Sequence, residues 1–313
     1  MKIGVNFFQM LFLILGAPLL RGLVAAIKAR LQRRKGPSIW RPYWDLWKLF
    51  RKEELVPPTA SAVFRIAPTF VFAAIVCTAA FLPVLQPSTL IARRGDFFLL
   101  VYLLAFGRYF LSLGALDGGS SFGGMGASRE ALVSSLAEAP LLLGLTAIAI
   151  LASRADLAGM VRWTLQQNLF NISTVHILAL ASIAMVALAE AGRMPVDNPA
   201  THLELTMIHE GMVLEYSGPS LALLEWANAI KLHAMTALLI ALFLPWGIAT
   251  SGTWTSLAWS LLLYCAKAGA CAFALAAIES AVAKLRMYLV PDFLGVAGAL
   301  SALAVIFTTW VKR

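Results

Sequence analysis

The chain has 313 residues, of which 60% are hydrophobic and 13% charged, with a formal net charge of +9 and a mean hydropathy of +0.80. Soluble domains have an apolar share of about 45–50%. The composition therefore excludes an ordinary soluble protein and indicates an all-α polytopic membrane protein. Cys77, Cys265 and Cys271 lie in apolar segments without C-x-x-C spacing, which argues against a disulfide framework or a zinc or iron–sulfur site.

Eight apolar segments are candidate membrane spans, since a span needs about 20 mostly apolar residues. Their residues are 5–26, 67–85, 97–116, 131–151, 175–191, 221–248, 256–283 and 293–311. The first is interpreted as an uncleaved helix, because no A-x-A site precedes the basic stretch that follows it. Without an internal repeat or a linker, the spans predict a single integral membrane domain over residues 1–313.

Basic residues set the orientation of the spans through the positive-inside rule. A dense group of them lies between the first two spans and includes Lys28, Arg30, Arg33, Arg34, Lys35, Arg41, Lys48, Arg51 and Lys52. We therefore expect residues 27–66, 117–130, 192–220 and 284–292 to face the cytoplasm of a cell whose inner membrane holds the protein. With eight spans, both termini are predicted to lie outside.

The first cytoplasmic loop contains an amphipathic pattern, PYWDLWKLFRKEE. Its apolar side chains recur at helical spacing while Asp45, Lys48 and Lys52 fall on the other side. This pattern predicts a helix lying in the membrane interface. Basic residues among aromatics can also indicate a nucleic-acid site, but topology already explains the charge, and no nucleic-acid partner is expected.

The connection between the third and fourth predicted spans, LDGGSSFGGMGASRE, contains five glycines. This composition predicts a tight, irregular loop, packed closely against residues 195–218. It lacks the Lys-Ser/Thr ending and the preceding strand of a phosphate-binding P-loop.

Several charges lie inside predicted spans, among them Arg108, Glu138, Lys231, Lys267 and Glu279. A charge at the bilayer centre costs about 2.5–3.5 kcal/mol on insertion scales, so each should have a partner or a function. Lys267 and Glu279 are twelve residues apart, about 18 Å along a helix, and cannot pair with each other. Two interpretations remain open: ion pairs that hold the bundle together, or a proton relay.

A concentration of titratable residues follows the fifth predicted span, in PVDNPATHLELTMIHEGMVLEYSG, residues 195–218. Its members are Asp197, His202, Glu204, His209, Glu210 and Glu215. His202 and His209 would be about 10.5 Å apart on a helix, whereas zincins use histidines at i and i+4. The spacing argues against a metal site.

The end of the fifth span joins this segment to the membrane charges. Glu190 and Arg193 are spaced to pair on a helix, and Pro195 is predicted to end that helix. A string of titratable groups thus runs from the cytoplasmic surface into the bundle. The alternative interpretation is a polar loop that docks a soluble subunit, and the two roles are compatible.

Six segments together resemble the subunit-1 family of respiratory complex I. They are KARLQRRKGP (28–37), WDLWKLFRKE (44–53), FRIAP (64–68), GMGASRE (124–130), AEAGRMPVDNPATHLELTMIHEGMVLEYSG (189–218) and AKLRMYLVPDFLG (283–295). Within that family the chain resembles the branch of membrane-bound group 4 [NiFe] hydrogenases, which includes formate hydrogenlyase, hydrogenase-4 and the carbon monoxide-linked and ferredoxin-linked enzymes.

The resemblance implies an eight-helix, non-catalytic subunit that binds no cofactor itself. It would anchor hydrogenase large and small subunits, which carry the nickel–iron centre and the iron–sulfur clusters, and join them to antiporter-like membrane subunits. Glu138, Glu190, Asp197 and Glu204 match acidic positions of the family's proposed proton path. Ala200 and His202 occupy positions at which quinone-reducing members have acidic residues. This difference argues against a quinone-binding chamber.

These arguments predict a proton-relay and docking subunit of an oxidoreductase complex. The predicted relay residues are Glu138, Glu190, Asp197, Glu204, Glu210, Lys231, Lys267 and Glu279. The predicted docking residues are Arg30, Arg33, Arg34, Asp45, Lys48, Arg129, Arg193, His202, His209 and Glu215. Alternatives are a quinone-binding subunit of a complex I-type NADH dehydrogenase and a stand-alone secondary transporter, although a transporter would be expected to contain internal repeats. The electron donor and the choice between proton and sodium stay open.

Overall fold

The protein is described by a computed structural model over residues 2–87, 96–167, 173–197, 207–250 and 253–311. Within these ranges the regular secondary structure is helical. The α-helices are α1 Lys2–Leu31, α2 Arg41–Phe50, α3 Ala62–Phe81, α4 Phe97–Asp117, α5 Ser121–Ala152, α6 Leu157–Gln166, α7 Thr174–Glu190, α8 His209–Val213, α9 Gly218–Phe243, α10 Trp254–Ala281 and α11 Val290–Val311, with a 3-10 turn at Met287–Leu289.

Seven helices within the described ranges are long and apolar enough to cross a membrane: α1, α3, α4, α5, α9, α10 and α11. Helix α7 coincides with the fifth predicted span but has 17 residues, about 26 Å at 1.5 Å per residue, slightly less than the roughly 30 Å hydrocarbon core. The prediction of an all-α polytopic membrane protein is confirmed.

The helices pack so that α7 and α9 bring their charged residues between the other spans. Helix α3 packs on α4 and α9, helix α11 on α5 and α7, and helix α1 on α9 and α10. The short helix α8, from the titratable segment, lies against α4 and α5.

The glycine-rich connection is mostly helix, so the predicted irregular loop is wrong. Only residues 118–120 form a turn, and Ser120 caps α5 by accepting a hydrogen bond from the Gly123 N–H at 3.1 Å. The glycines serve close packing instead. A Cβ at Gly126 would lie 2.9 Å from the carbonyl oxygen of Ile208, which confirms the predicted approach to residues 195–218.

The predicted amphipathic helix in the first loop is confirmed as α2. Tyr43 donates a hydrogen bond from its hydroxyl to the backbone carbonyl of Leu15 in α1, and the Phe50 ring meets the Trp226 ring edge-on at 6.3 Å. Trp44 and Trp47 remain exposed. Helix α2 therefore attaches to α1 and α9 through part of its aromatic face.

Helix α1 contains Pro18, and two side chains of α9 form hydrogen bonds with backbone carbonyls near it. Proline has no N–H to donate to the carbonyl four residues earlier, that of Ile14, and the indole Nε1 of Trp226 donates to it at 3.0 Å. His233 Nδ1 lies 2.9 Å from the neighbouring carbonyl of Leu13. Helix α9 thus supplies donors to α1 at its proline.

We expect Trp226→Phe to lower the free energy of unfolding by about 0.5–1.5 kcal/mol, the net contribution of one hydrogen bond, because the Ile14 carbonyl would lose its donor. Denaturant titration of the purified protein in mixed micelles measures the change. Trp310→Phe is the matched control, since Trp310 is exposed at the end of α11. Equal stabilities of the two variants would contradict the role given to the indole N–H.

Candidate functional site: an ionic cluster inside the bundle

A small cavity between α3, α4, α5, α7 and α9 has titratable side chains on its wall. Its volume is about 40 Å³, enough for water, which needs at least roughly 10–15 Å³. Its lining includes four residues predicted from the sequence, Glu190, Asp197, His209 and Lys231, together with Arg108 and Glu130. Titratable residues far apart in sequence therefore meet at one cavity.

Glu190, at the end of α7, is the centre of the cluster. Its side chain is 1% exposed and contacts two cations, Arg108 of α4 and Lys231 of α9. Arg108 Nη1 donates to Glu190 Oε1, and Lys231 Nζ lies 3.0 Å from Glu190 Oε2. Buried charges require such partners.

Glu138 approaches the same arginine from α5. Its Oε2 lies 3.7 Å from Arg108 Nη2, so Arg108 stands between two carboxylates that belong to different helices. The arrangement links Glu190 to Glu138 through one guanidinium group.

One side of the cavity is formed by the titratable segment. Asp197 Oδ1 pairs with Lys284 at 2.7 Å, and Asp197 Oδ2 accepts the backbone N–H of His209 at 3.3 Å. Arg129 of α5 donates to the carbonyl of Met207 at 2.9 Å. The segment is thereby held over the cavity from both sides.

The expected pair of Glu190 with Arg193 does not form, because helix α7 ends before Pro195. Gly192 adopts φ +57°, and the Arg193 N–H bonds to the Leu188 carbonyl at 2.9 Å, the pattern of a glycine-terminated helix. This turn directs Arg193 to Glu279 of α10, at 3.2 Å.

Glu279 lies in a second ionic cluster between α1, α10 and the loop after α7. Its side chain is 1% exposed, and its Oε2 is 2.8 Å from Lys28 Nζ. Arg193 is 12% exposed by its side chain and pairs with the other oxygen. These contacts place both Glu279 and Arg193 inside the protein, while their relay and docking roles stay predictions.

A third ion pair joins Arg21 of α1 to Glu225 of α9. Glu210 interacts electrostatically with both members of this pair. Burial raises the pKa of the Glu210 carboxyl above its ordinary value, against the lowering influence of His209. A carboxyl with a raised pKa binds a proton more readily near neutral pH. This property is compatible with the predicted relay role.

Lys267 does not join the cavity. Its ammonium donates to the backbone carbonyls of Leu244, at 2.7 Å, and Trp246, beyond the end of α9. The carbonyls at a helix end are suitable acceptors for a lysine. The structure therefore gives this charge a local partner, and its relay role stays a prediction.

The other predicted docking residues fall in several places. Arg30, Arg33, Arg34, Asp45 and Lys48 are exposed, and Glu215 is partly buried. Asp45 pairs with Arg41 at 3.6 Å on the surface of α2. His202 and Glu204 lie outside the described residues.

The set of predicted site residues omitted several members of these clusters. Arg108 was recognised as an intramembrane charge but not placed in the relay, and Arg21 and Glu225 lie within predicted spans, where the same criterion would have found them. Glu130 carried no distinguishing signal. No group of three or more His, Cys, Asp or Glu side chains suited to a metal ion occurs in the part of the chain that the structure describes.

Comparison with known proteins confirms the resemblance drawn from the motifs. The NADH dehydrogenase family matches residues 4–310. Hydrogenase-4 component C of Escherichia coli (strain K12) is 35% identical over 300 residues, which cover 96% of this chain and 93% of that protein. Formate hydrogenlyase subunit 4 of the same organism is 31% identical over 287 residues, covering 90% and 91%.

The fold also matches a solved structure. A chain of the membrane-bound sulfane sulfur reductase (MBS), an archaeal respiratory membrane complex, superposes with a TM-score of 0.84 over 97% of this chain and 99% of that chain, at 20% identity. The helical arrangement is therefore shared although the sequences have diverged. By its match over nearly the whole length, this chain belongs to the NADH dehydrogenase family, as a multi-pass membrane member.

Proposed function

We propose that the chain is the membrane-anchoring and proton-relay subunit of an energy-converting [NiFe] hydrogenase complex. In the docked soluble arm, electrons would be transferred to protons and hydrogen would form. The chain would couple this reaction to the translocation of protons or sodium ions. The two relatives named for hydrogenase-4 and formate hydrogenlyase support this class of complex. In this proposal the chain is itself non-catalytic, and its partners hold the nickel–iron centre and iron–sulfur clusters.

The observation that carries the proposal is the buried Glu190 carboxylate between Arg108 and Lys231, on a cavity that also reaches Asp197 and His209. Groups that can bind and release protons thus line a space between the cytoplasmic segment and the membrane interior. A purely structural ion pair would not need a water-sized cavity beside it.

The proposed mechanism is electrostatic. A redox or protonation change in the docked arm alters the charge near residues 195–218, and this changes the electrostatic potential at Glu190 and Glu138. Because charges in a low-dielectric interior interact strongly, proton occupancy in the cluster changes in response. The predicted partners are hydrogenase large and small subunits on the cytoplasmic side and antiporter-like subunits within an inner membrane, with both termini of the chain outside.

We expect Glu138→Gln to abolish ion translocation while hydrogen evolution with an artificial electron donor continues, because glutamine keeps the shape but removes the charge facing Arg108. The ratio of ions moved to hydrogen formed, measured on the complex in liposomes, reports coupling separately from turnover. Glu53→Gln, at an exposed position, is the matched control. Full translocation by Glu138→Gln would remove Glu138 from the path.

A second candidate function is a quinone-binding subunit of a complex I-type NADH dehydrogenase. A cavity of about 290 Å³ lies between α1, α2 and α9, with apolar walls from Pro18, Leu46 and Leu221 and a polar side from Arg21 and Glu225. Mixed linings of this kind suit small organic ligands. Co-purified quinone would favour this function, whereas hydrogenase subunits found by mass spectrometry of the intact complex would favour the first.

A further inference from the structure

The two cations on Glu190 differ in what they can do chemically. Arginine keeps its proton under all conditions in which proteins function, whereas lysine can release one. In this cluster the arginine, Arg108, holds Glu190 Oε1 by a hydrogen bond, and the lysine, Lys231, contacts Oε2. The two oxygens of one carboxylate therefore face different partners.

Of the two Glu190 oxygens, Oε2 is the less fully satisfied. This atom is buried and accepts no hydrogen bond from the described residues, so the 3.0 Å approach of Lys231 Nζ is a charge contact without hydrogen-bond alignment. Both Glu190 and Lys231 border the cavity of about 40 Å³. A buried carboxylate oxygen normally has a donor, and a water in this space could supply one.

The charge balance distinguishes the two cations further. With both protonated, the two cations face two carboxylates, Glu190 and Glu138, the latter 3.7 Å from Arg108, and Glu130 borders the same cavity. When Lys231 loses a proton, the Arg108–Glu190 pair stays intact, so the buried Glu190 carboxylate keeps a counter-ion. Arg108 cannot make the corresponding change.

We propose that Lys231 carries the exchanged proton, and that Arg108 is a positioning residue that keeps Glu190 ionised throughout. This assignment rests on the proposed relay function and narrows the role of Glu190 from proton carrier to fixed counter-ion. In the release step an N–H bond of Lys231 breaks, the electron pair stays on Nζ, and the proton passes to water in the cavity. Reprotonation reverses the step from the side of Asp197 and His209.

The decisive variant is Lys231→Arg, which keeps the positive charge but cannot release a proton. In the complete complex reconstituted in liposomes, turnover with an artificial electron donor should persist, while proton translocation followed with a pH-sensitive dye should fall to the leak level of empty liposomes. Lys52→Arg, the same substitution at an exposed position after α2, is the matched control and should translocate as the unsubstituted complex does.

Arg108→Gln tests the positioning role by infrared spectroscopy. Without Arg108, release of the Lys231 proton would leave Glu190 without a counter-ion, so the C=O band of a protonated carboxylic acid should appear. The band should be absent from the unsubstituted complex and from the Arg108→Gln, Glu190→Gln double variant. A merely structural arginine would not produce this band.

The outcomes separate this inference from the proposed function. Normal translocation by Lys231→Arg would overturn the assignment of the proton to Lys231 while leaving the relay function intact. Absence of both proton and sodium translocation by the unsubstituted complex would overturn the proposed function, and this inference with it. Sodium translocation without proton translocation would overturn this inference alone. If Lys231→Arg fails to assemble, the infrared experiment decides, because an Arg108→Gln complex without the carboxylic acid band contradicts the assignment.

Discussion

Glu279→Gln is expected to lower the free energy of unfolding by about 3–5 kcal/mol, the effect of removing one partner from a buried ion pair. The carboxylate contacts Lys28 at 2.8 Å and Arg193 at 3.2 Å, and its side chain is 1% exposed. Glutamine is nearly the same size but leaves two cations without a counter-ion. Denaturant titration of the purified protein in mixed micelles measures the loss.

Lys28→Met is the informative companion to this variant. It removes one cation but leaves the Arg193–Glu279 pair intact, so we expect a smaller loss of stability than Glu279→Gln causes. Similar losses in both variants would contradict the idea that Glu279 neutralises two partners at once. The comparison also bears on the predicted relay role of Glu279, since a large structural effect must be separated from any effect on coupling.

Gly126→Ala should destabilise the protein by about 1–3 kcal/mol, the usual cost of overpacking. The added Cβ would lie 2.9 Å from the Ile208 carbonyl oxygen and 3.1 Å from the Met212 backbone nitrogen. Backbone atoms cannot move aside as a side-chain end can, so α5 and the segment over the cavity must separate. We expect weaker ion translocation as well, because Asp197 and His209 belong to that segment.

Gly124→Ala, two residues earlier in the same helix, is the matched control. Its Cβ would meet no atom within 4 Å, and alanine favours a helix interior over glycine by roughly 0.5–1 kcal/mol. The same substitution should therefore have opposite signs at the two positions, measured by the same mixed-micelle titration. Destabilisation of equal size at both sites would show that helix propensity or lipid contact, not close packing, decides the effect.

The sequence by itself determined the class of fold, the approximate positions of the long apolar helices and the membership in a family. Long apolar segments and the amphipathic spacing of α2 are local properties, which depend only on the length of a span or the period of a helix. The same reasoning identified Arg108, Glu138 and Lys231 as charges that must have partners. Motifs around residues 189–218 indicated the family that the comparisons then confirmed.

Only the tertiary structure decided which charges meet. Sequence spacing favoured Glu190 with Arg193, but the left-handed turn at Gly192 ends α7 and sends Arg193 to α10. Arg21 and Glu225 pair across 204 residues, and no local pattern encodes such a contact. The glycines of α5 favour a loop by propensity, yet they are helical, and Gly126 leaves the room that the approach of residues 207–213 requires. Contacts between distant segments depend on how whole helices pack, and this packing placed Arg108 against both Glu190 and Glu138.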